Sequence, residues 1–146
     1  MTNSTFESGW NAIAILIGRL IFLVFFTMAF VVKSTHIDGT AAYIASAGLP
    51  IPTVLAWLAV IFEGLLVLSF LTGAYFAEAC VLAGLYVTFL GFAFHGPSYW
   101  EGEVGQNEYR LFLMHITFLA GALFAAAQGP GRILASRRTI IGRYPA

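Results

Sequence analysis

Arg19 and Glu63 each interrupt a long apolar run, the first reading from Trp10 to Val32 and the second from Ile51 to Leu71. Both runs approach or exceed the roughly 20 apolar residues that cross a bilayer. A charge at bilayer depth costs about 2.5 kcal/mol or more, so such a residue pairs with another, lines a cavity or marks a ligand site. Arg19 lies nine residues in from Trp10 and Glu63 twelve in from Ile51. On helices running in opposite directions, at about 1.5 Å per residue, the two are expected to reach a similar mid-membrane level and form an intramembrane polar pair. Such a pair orients a ligand head group or relays a proton, or else it fixes how two helices dock, because a buried pair can set specificity without adding stability. The residues alone leave both roles open.

His95 closes the third apolar run, His115 lies early in the fourth, and Lys33 closes the first on the same side. These three are expected in one half of the molecule, so that Arg19, Glu63, His95, His115 and Lys33 make up a candidate ligand pocket. Histidine titrates near neutral pH and suits proton exchange at a quinone carbonyl. Plainer roles are an interface histidine for His95, an interhelical hydrogen bond for His115, and snorkelling for Lys33 and Arg110. No residue is marked as catalytic. No metal site is expected, since His36 sits in a loop and no HxxxH or ExxH spacing occurs. The single cysteine, Cys80, excludes an internal disulfide or a CxxC pair. Redox chemistry here needs an external cofactor or partner, and no motif for covalent cofactor attachment is present.

These residues must be held by membrane helices. Of the 146 residues 60% are hydrophobic and only 10% charged, against about 25% charged in a soluble domain, and the mean hydropathy is +0.86. The apolar runs predict helices over about 10–32, 51–71, 76–95 and 110–128. The fold expected is all-α: an integral membrane four-helix bundle forming a single domain over 1–146, with a short interfacial segment near Ala41–Ala47 between the first two spans. Ser8 is expected to cap the first helix, Thr72–Gly73–Ala74 to make a tight hairpin, and Gly129–Pro130–Gly131 to stop the last helix. The first run resembles no cleavable signal: no Lys or Arg precedes it, it contains Arg19, and it exceeds the roughly 7–15 residues of a signal's apolar core. Ser69/Gly73, Ala79/Ala83 and Gly121/Ala125 are small residues spaced for close helix packing. Glu101, Glu103 and Glu108 are expected to form a solvated loop. Arg132, Arg137, Arg138 and Arg143 place both termini in the cytoplasm by the positive-inside rule. Seven acids balance seven bases, so no attraction to nucleic acid follows.

The ordered pieces GRLIFLVFFTMAFVVK, YIASAGLPIP, FEGLLVLSFLTG, FAFHGP and FLMHITFLAGALFAAAQGPGR, within roughly residues 18–132, resemble the DoxX family of small bacterial membrane proteins. The family's polar positions map onto Arg19, Lys33, Glu63 and His95. The chain departs from the pattern at His115, where many members have asparagine, and at AFVVK, which lacks the usual glycine before the lysine. Some members resemble subunits of thiosulfate:quinone oxidoreductase, and others are linked to oxidative-stress or thiol-redox assemblies. The resemblance implies a multi-pass protein of the bacterial inner membrane, a quinone as ligand, and a redox enzyme or larger membrane complex as partner among the lipids. The function expected is that of a quinone-linked oxidoreductase subunit. The alternatives are a non-catalytic accessory subunit and a lipid or isoprenoid binder. Active transport is a weaker fit to four helices without an inverted repeat.

Overall fold

A computed structural model describes the backbone of residues 3–141 and the side chains of residues 9–141. Those residues form α1 (Asn3–Thr35), α2 (Ile37–Ser46), α3 (Pro52–Thr72), α4 (Phe76–His95), a 3-10 turn (Pro97–Tyr99) and α5 (Gly105–Gln128), with no strand among them. Four of the helices, α1, α3, α4 and α5, are long and apolar enough to cross a membrane. The all-α, four-span fold read from the sequence is therefore the fold of the protein.

The helix ends follow local chemistry. Pro52 occupies the first turn of α3, where a missing N–H costs nothing. Gly73 and Gly129 end α3 and α5 at φ values of 73° and 77°, the left-handed region that favours glycine. Two boundaries differ from the sequence reading. Helix α1 begins at Asn3, so Ser8 lies inside it and is not its cap. Helix α5 begins at Gly105 instead of Arg110, and this draws Glu108 out of the loop into the first helical turn. Gly105 allows that start, because a Cβ there would fall 2.0 Å from the Trp100 carbonyl oxygen.

The core is aromatic. Phe22 and Phe26 of α1 stack on Phe70 of α3 at 5.4 and 5.6 Å, and Phe118 of α5 meets Phe22 edge-on at 5.3 Å. The most extensive contact is between α4 and α5. Its seam runs through Gly84 and Gly91, where an added Cβ would come within 2.8 Å of Leu119 Cδ1 and 2.7 Å of His115 Cβ. Gly121, one of the small residues expected to pack, faces open space; Ala122 beside it is the buried one. A leucine at Gly91 is accordingly expected to destabilise the protein by about 1–3 kcal/mol through overpacking, whereas Gly121→Leu should be tolerated. Unfolding of both variants in mixed detergent checks this; equal stability would show that α4 and α5 are not packed along that seam.

By contrast, α3 and α4 share little contact despite their short connection. Phe70 and Phe76 meet edge-on at 5.8 Å beside that connection, and Tyr86 of α4 reaches Glu63 of α3 further up. Beyond this point a gap lies between them, roofed by α2, whose Tyr43 stacks on Phe94 at 4.4 Å with the rings 8° apart. The bundle thus has a terminal end, where α1 starts and the segment after α5 lies, and an opposite loop end.

Candidate functional site

The gap at the loop end is a cavity of about 440 Å³, within the range of small-molecule sites. Leu55, Leu58, Ala59 and Phe62 of α3 and Phe89, Leu90 and Phe94 of α4 give it apolar walls. Polar groups converge on it from four elements: Lys33 of α1, Thr40 and Tyr43 of α2, Tyr86 and His95 of α4, and His115 of α5. Desolvation, then the negative charge of Glu108 and the neighbouring Tyr99, hold the Tyr43 phenol above its ordinary range. Tyr43 therefore stays a neutral donor.

Behind Lys33 and Tyr86 stands Glu63, 1% exposed. Its Oε1 accepts from Lys33 Nζ at 2.7 Å and from Tyr86 OH at 2.9 Å. Its Oε2 is buried and has no hydrogen-bond partner among the described residues, an unusual condition for a buried carboxylate oxygen. The glutamate can therefore hold two donors of the cavity in place and still accept one more hydrogen bond.

The two histidines are held in one orientation each. His115 Nδ1 lies 2.7 Å from the Leu111 carbonyl oxygen; a carbonyl only accepts, so Nδ1 carries the proton and Nε2 of the neutral ring is left as the acceptor. His95 Nδ1 lies 2.6 Å from Glu108 Oε2, and with the carboxylate accepting, its Nε2 is also the free nitrogen. The rings are 5.1 Å apart. Gly91 makes this approach possible, since any side chain there would meet His115. Trp100 Nε1 donates to the His95 carbonyl at 2.9 Å and braces the end of α4.

Arg19 is not part of this arrangement, and the expected Arg19–Glu63 pair is corrected. Its guanidinium donates through NH1 to Pro130 O at 2.9 Å and through NH2 to Ile133 O at 3.1 Å and Leu134 O at 2.9 Å, at the terminal end. The depth count assumed that both helices enter the membrane at the ends of their apolar runs. Instead α1 and α3 are offset: Phe26 sits on Phe70, the Phe30 ring lies against Gly64, and Lys33 reaches Glu63. Lys33 is 33 − 19 = 14 positions beyond Arg19, about 21 Å of helix, which no side chain spans. Lys33 is thus paired and does not snorkel, and Glu108 is a histidine partner and not a solvated loop residue.

Lys33, Glu63, His95 and His115 are therefore brought together, and Arg19 is set apart. Sequence reasoning missed Tyr86, Tyr43 and Glu108. A tyrosine in an apolar helix carries no signal until its neighbour is known. Glu108 had one: it stands two residues before Arg110 and continues the helical pattern backwards from Phe112. The segment after α5 was also unread. Besides Arg19 it is held by Glu78, whose Oε1 accepts from Thr139 Oγ1 at 2.8 Å and from the backbone N–H groups of Ile140 and Ile141. Arg143 lies outside the described residues. No group of three or more potential metal ligands occurs among the described residues.

Comparison with known proteins adds a family. The DoxX family model matches residues 14–96. The chain is similar to inner membrane protein YphA of Escherichia coli (strain K12), with 31% identity over 129 residues that cover 86% of this chain and 90% of that protein. No solved structure matches.

Proposed function

Because this chain belongs to the DoxX family of membrane proteins, we propose that its loop-end cavity binds the head group of a lipid-soluble quinone and that the protein serves as a quinone-linked oxidoreductase subunit. We place it in the bacterial inner membrane with both termini in the cytoplasm, and a redox enzyme or larger membrane complex supplies the electrons. The observation that carries the reading is the pair of imidazoles, each with Nε2 free, in one apolar cavity with Lys33 and Tyr86.

The residues fit such a ligand. Apolar walls suit a ring and its chain, and Lys33 Nζ and Tyr86 OH are donors suited to a carbonyl oxygen. The unpartnered Glu63 Oε2 leaves room for a further proton or donor behind them. A bound quinone supplies a carrier of two electrons and two protons. The protein's part is to exclude water, to hold Lys33 and Tyr86 on Glu63, and to keep a proton acceptor at His115 Nε2 and at His95 Nε2. Glu108, 2.6 Å from His95 Nδ1, holds that ring with Nε2 free.

Titration of the purified protein with a short-chain ubiquinone tests this. Saturable binding is expected, weakened about tenfold or more, equivalent to about 1.4 kcal/mol, in His115→Leu. Glu63→Gln should keep the fold and lose electron transfer. Absence of saturable binding, with turnover unchanged in Glu63→Gln, would overturn the proposal. The largely apolar walls also suit an isoprenoid chain without a redox ring; a polyprenyl alcohol that competes on equal terms with the quinone would favour the lipid-binding reading.

A further inference from the structure

Arg19 is 3% exposed, yet its hydrogen-bond partners are the three carbonyl oxygens of Pro130, Ile133 and Leu134. Carbonyls satisfy donors without neutralising charge. Among the described residues Lys33 is the cation paired with Glu63, and Glu108 faces His95, so no described carboxylate lies within ion-pair distance of the guanidinium. Its Nε is buried and has no acceptor among the described residues. A buried cation with no counter-charge among the described residues is costly, which makes this a place where an anion gains more than it would at an exposed arginine.

Beside Arg19 lies a cavity of about 340 Å³ between α1 and α5, lined by Asn11, Gly18, Phe124 and Gln128 among others. We infer that this cavity is a binding site for the phosphate of an anionic phospholipid, separate from the loop-end site and independent of the quinone reading. The Arg19 charge attracts the phosphate, and the amide groups of Asn11 and Gln128 are further donors. A lipid is favoured over free phosphate because the flanks are apolar and exposed: Trp10, Ile13 and Ile17 on α1 and Phe124 on α5 offer surface for acyl chains.

Gly18 provides the means of testing this without disturbing Arg19. A Cβ at Gly18 meets nothing within 4 Å, so Gly18→Leu fills the cavity and leaves the three carbonyl bonds in place. The full chain, purified in detergent, is offered palmitoyl-oleoyl phosphatidylglycerol, the matching phosphatidylcholine, or inorganic phosphate, and retained lipid is read by native mass spectrometry. One phosphatidylglycerol per chain is expected, preferred about tenfold over phosphatidylcholine, with the preference lost in Gly18→Leu and reduced in Gln128→Leu. Gly121→Leu, a control of the same size on α5, should retain it. Equal retention of the two lipids by the native chain, or an unchanged preference in folded Gly18→Leu, overturns the inference. Release of the lipid by millimolar inorganic phosphate would assign the site to free phosphate and overturn the lipid assignment.

Discussion

Glu63→Leu is expected to destabilise the protein by about 3 kcal/mol, at the lower end of what breaking a buried ion pair costs. The change removes the acceptor of two donors at once, Lys33 Nζ and Tyr86 OH, and leaves an ammonium inside the bundle. An unpaired lysine at bilayer depth costs a similar amount. The value stays at the low end because the Lys33 side chain is 24% exposed and can turn toward the loop end. The double variant Lys33→Leu/Glu63→Leu removes both charges, and by the same reasoning should recover much of the loss, since apolar residues of similar size replace buried pairs at little cost. Unfolding of the two single variants and the double variant in mixed detergent gives the coupling. A double variant as unstable as the sum of the singles would show that the pair does not hold α1 against α3.

Arg19→Leu is expected to release the segment after α5. One guanidinium satisfies three of its carbonyls, and hydrogen bonds to a charged group contribute about 1.5–3 kcal/mol each. The carbonyls regain water once the segment lifts, so the net loss should be about 3 kcal/mol and local. Five further contacts belong to the same strap: the Ser136 amide on Thr72 O, the Tyr75 amide on Arg138 O, and Thr139, Ile140 and Ile141 on Glu78. In the variant, amide exchange should rise across residues 133–141 and trypsin should cut at Arg137 and Arg138, while the α4–α5 seam keeps its protection. Unchanged exchange in that segment would mean that the contacts to Glu78, Thr72 and Tyr75 hold it without Arg19.

The sequence carried the fold because membrane helices announce themselves by length and apolar content, and Gly73, Pro52 and Gly129 mark their ends. It carried most of the loop-end site as well: Lys33, Glu63, His95 and His115 stand out as polar residues in or beside apolar runs. It did not carry the pairing. Which charges meet depends on the offset between α1 and α3, and that offset is set by the packing of Phe26 on Phe70 and of Phe30 on Gly64. Residue counting from the ends of apolar runs cannot see it. The strap was illegible for another reason, since its bonds run through backbone carbonyls and amides, which every residue possesses.

A photoreactive azido-quinone, irradiated on the membrane-embedded protein and followed by peptide mapping, tests the central claim most directly. The account predicts saturable labelling within residues 55–62 of α3 and 86–95 of α4, the walls of the loop-end cavity, suppressed by excess unlabelled quinone and by His115→Leu. Labelling spread over lipid-facing positions such as Leu65 and Leu82, or left unchanged by competing quinone, would contradict it.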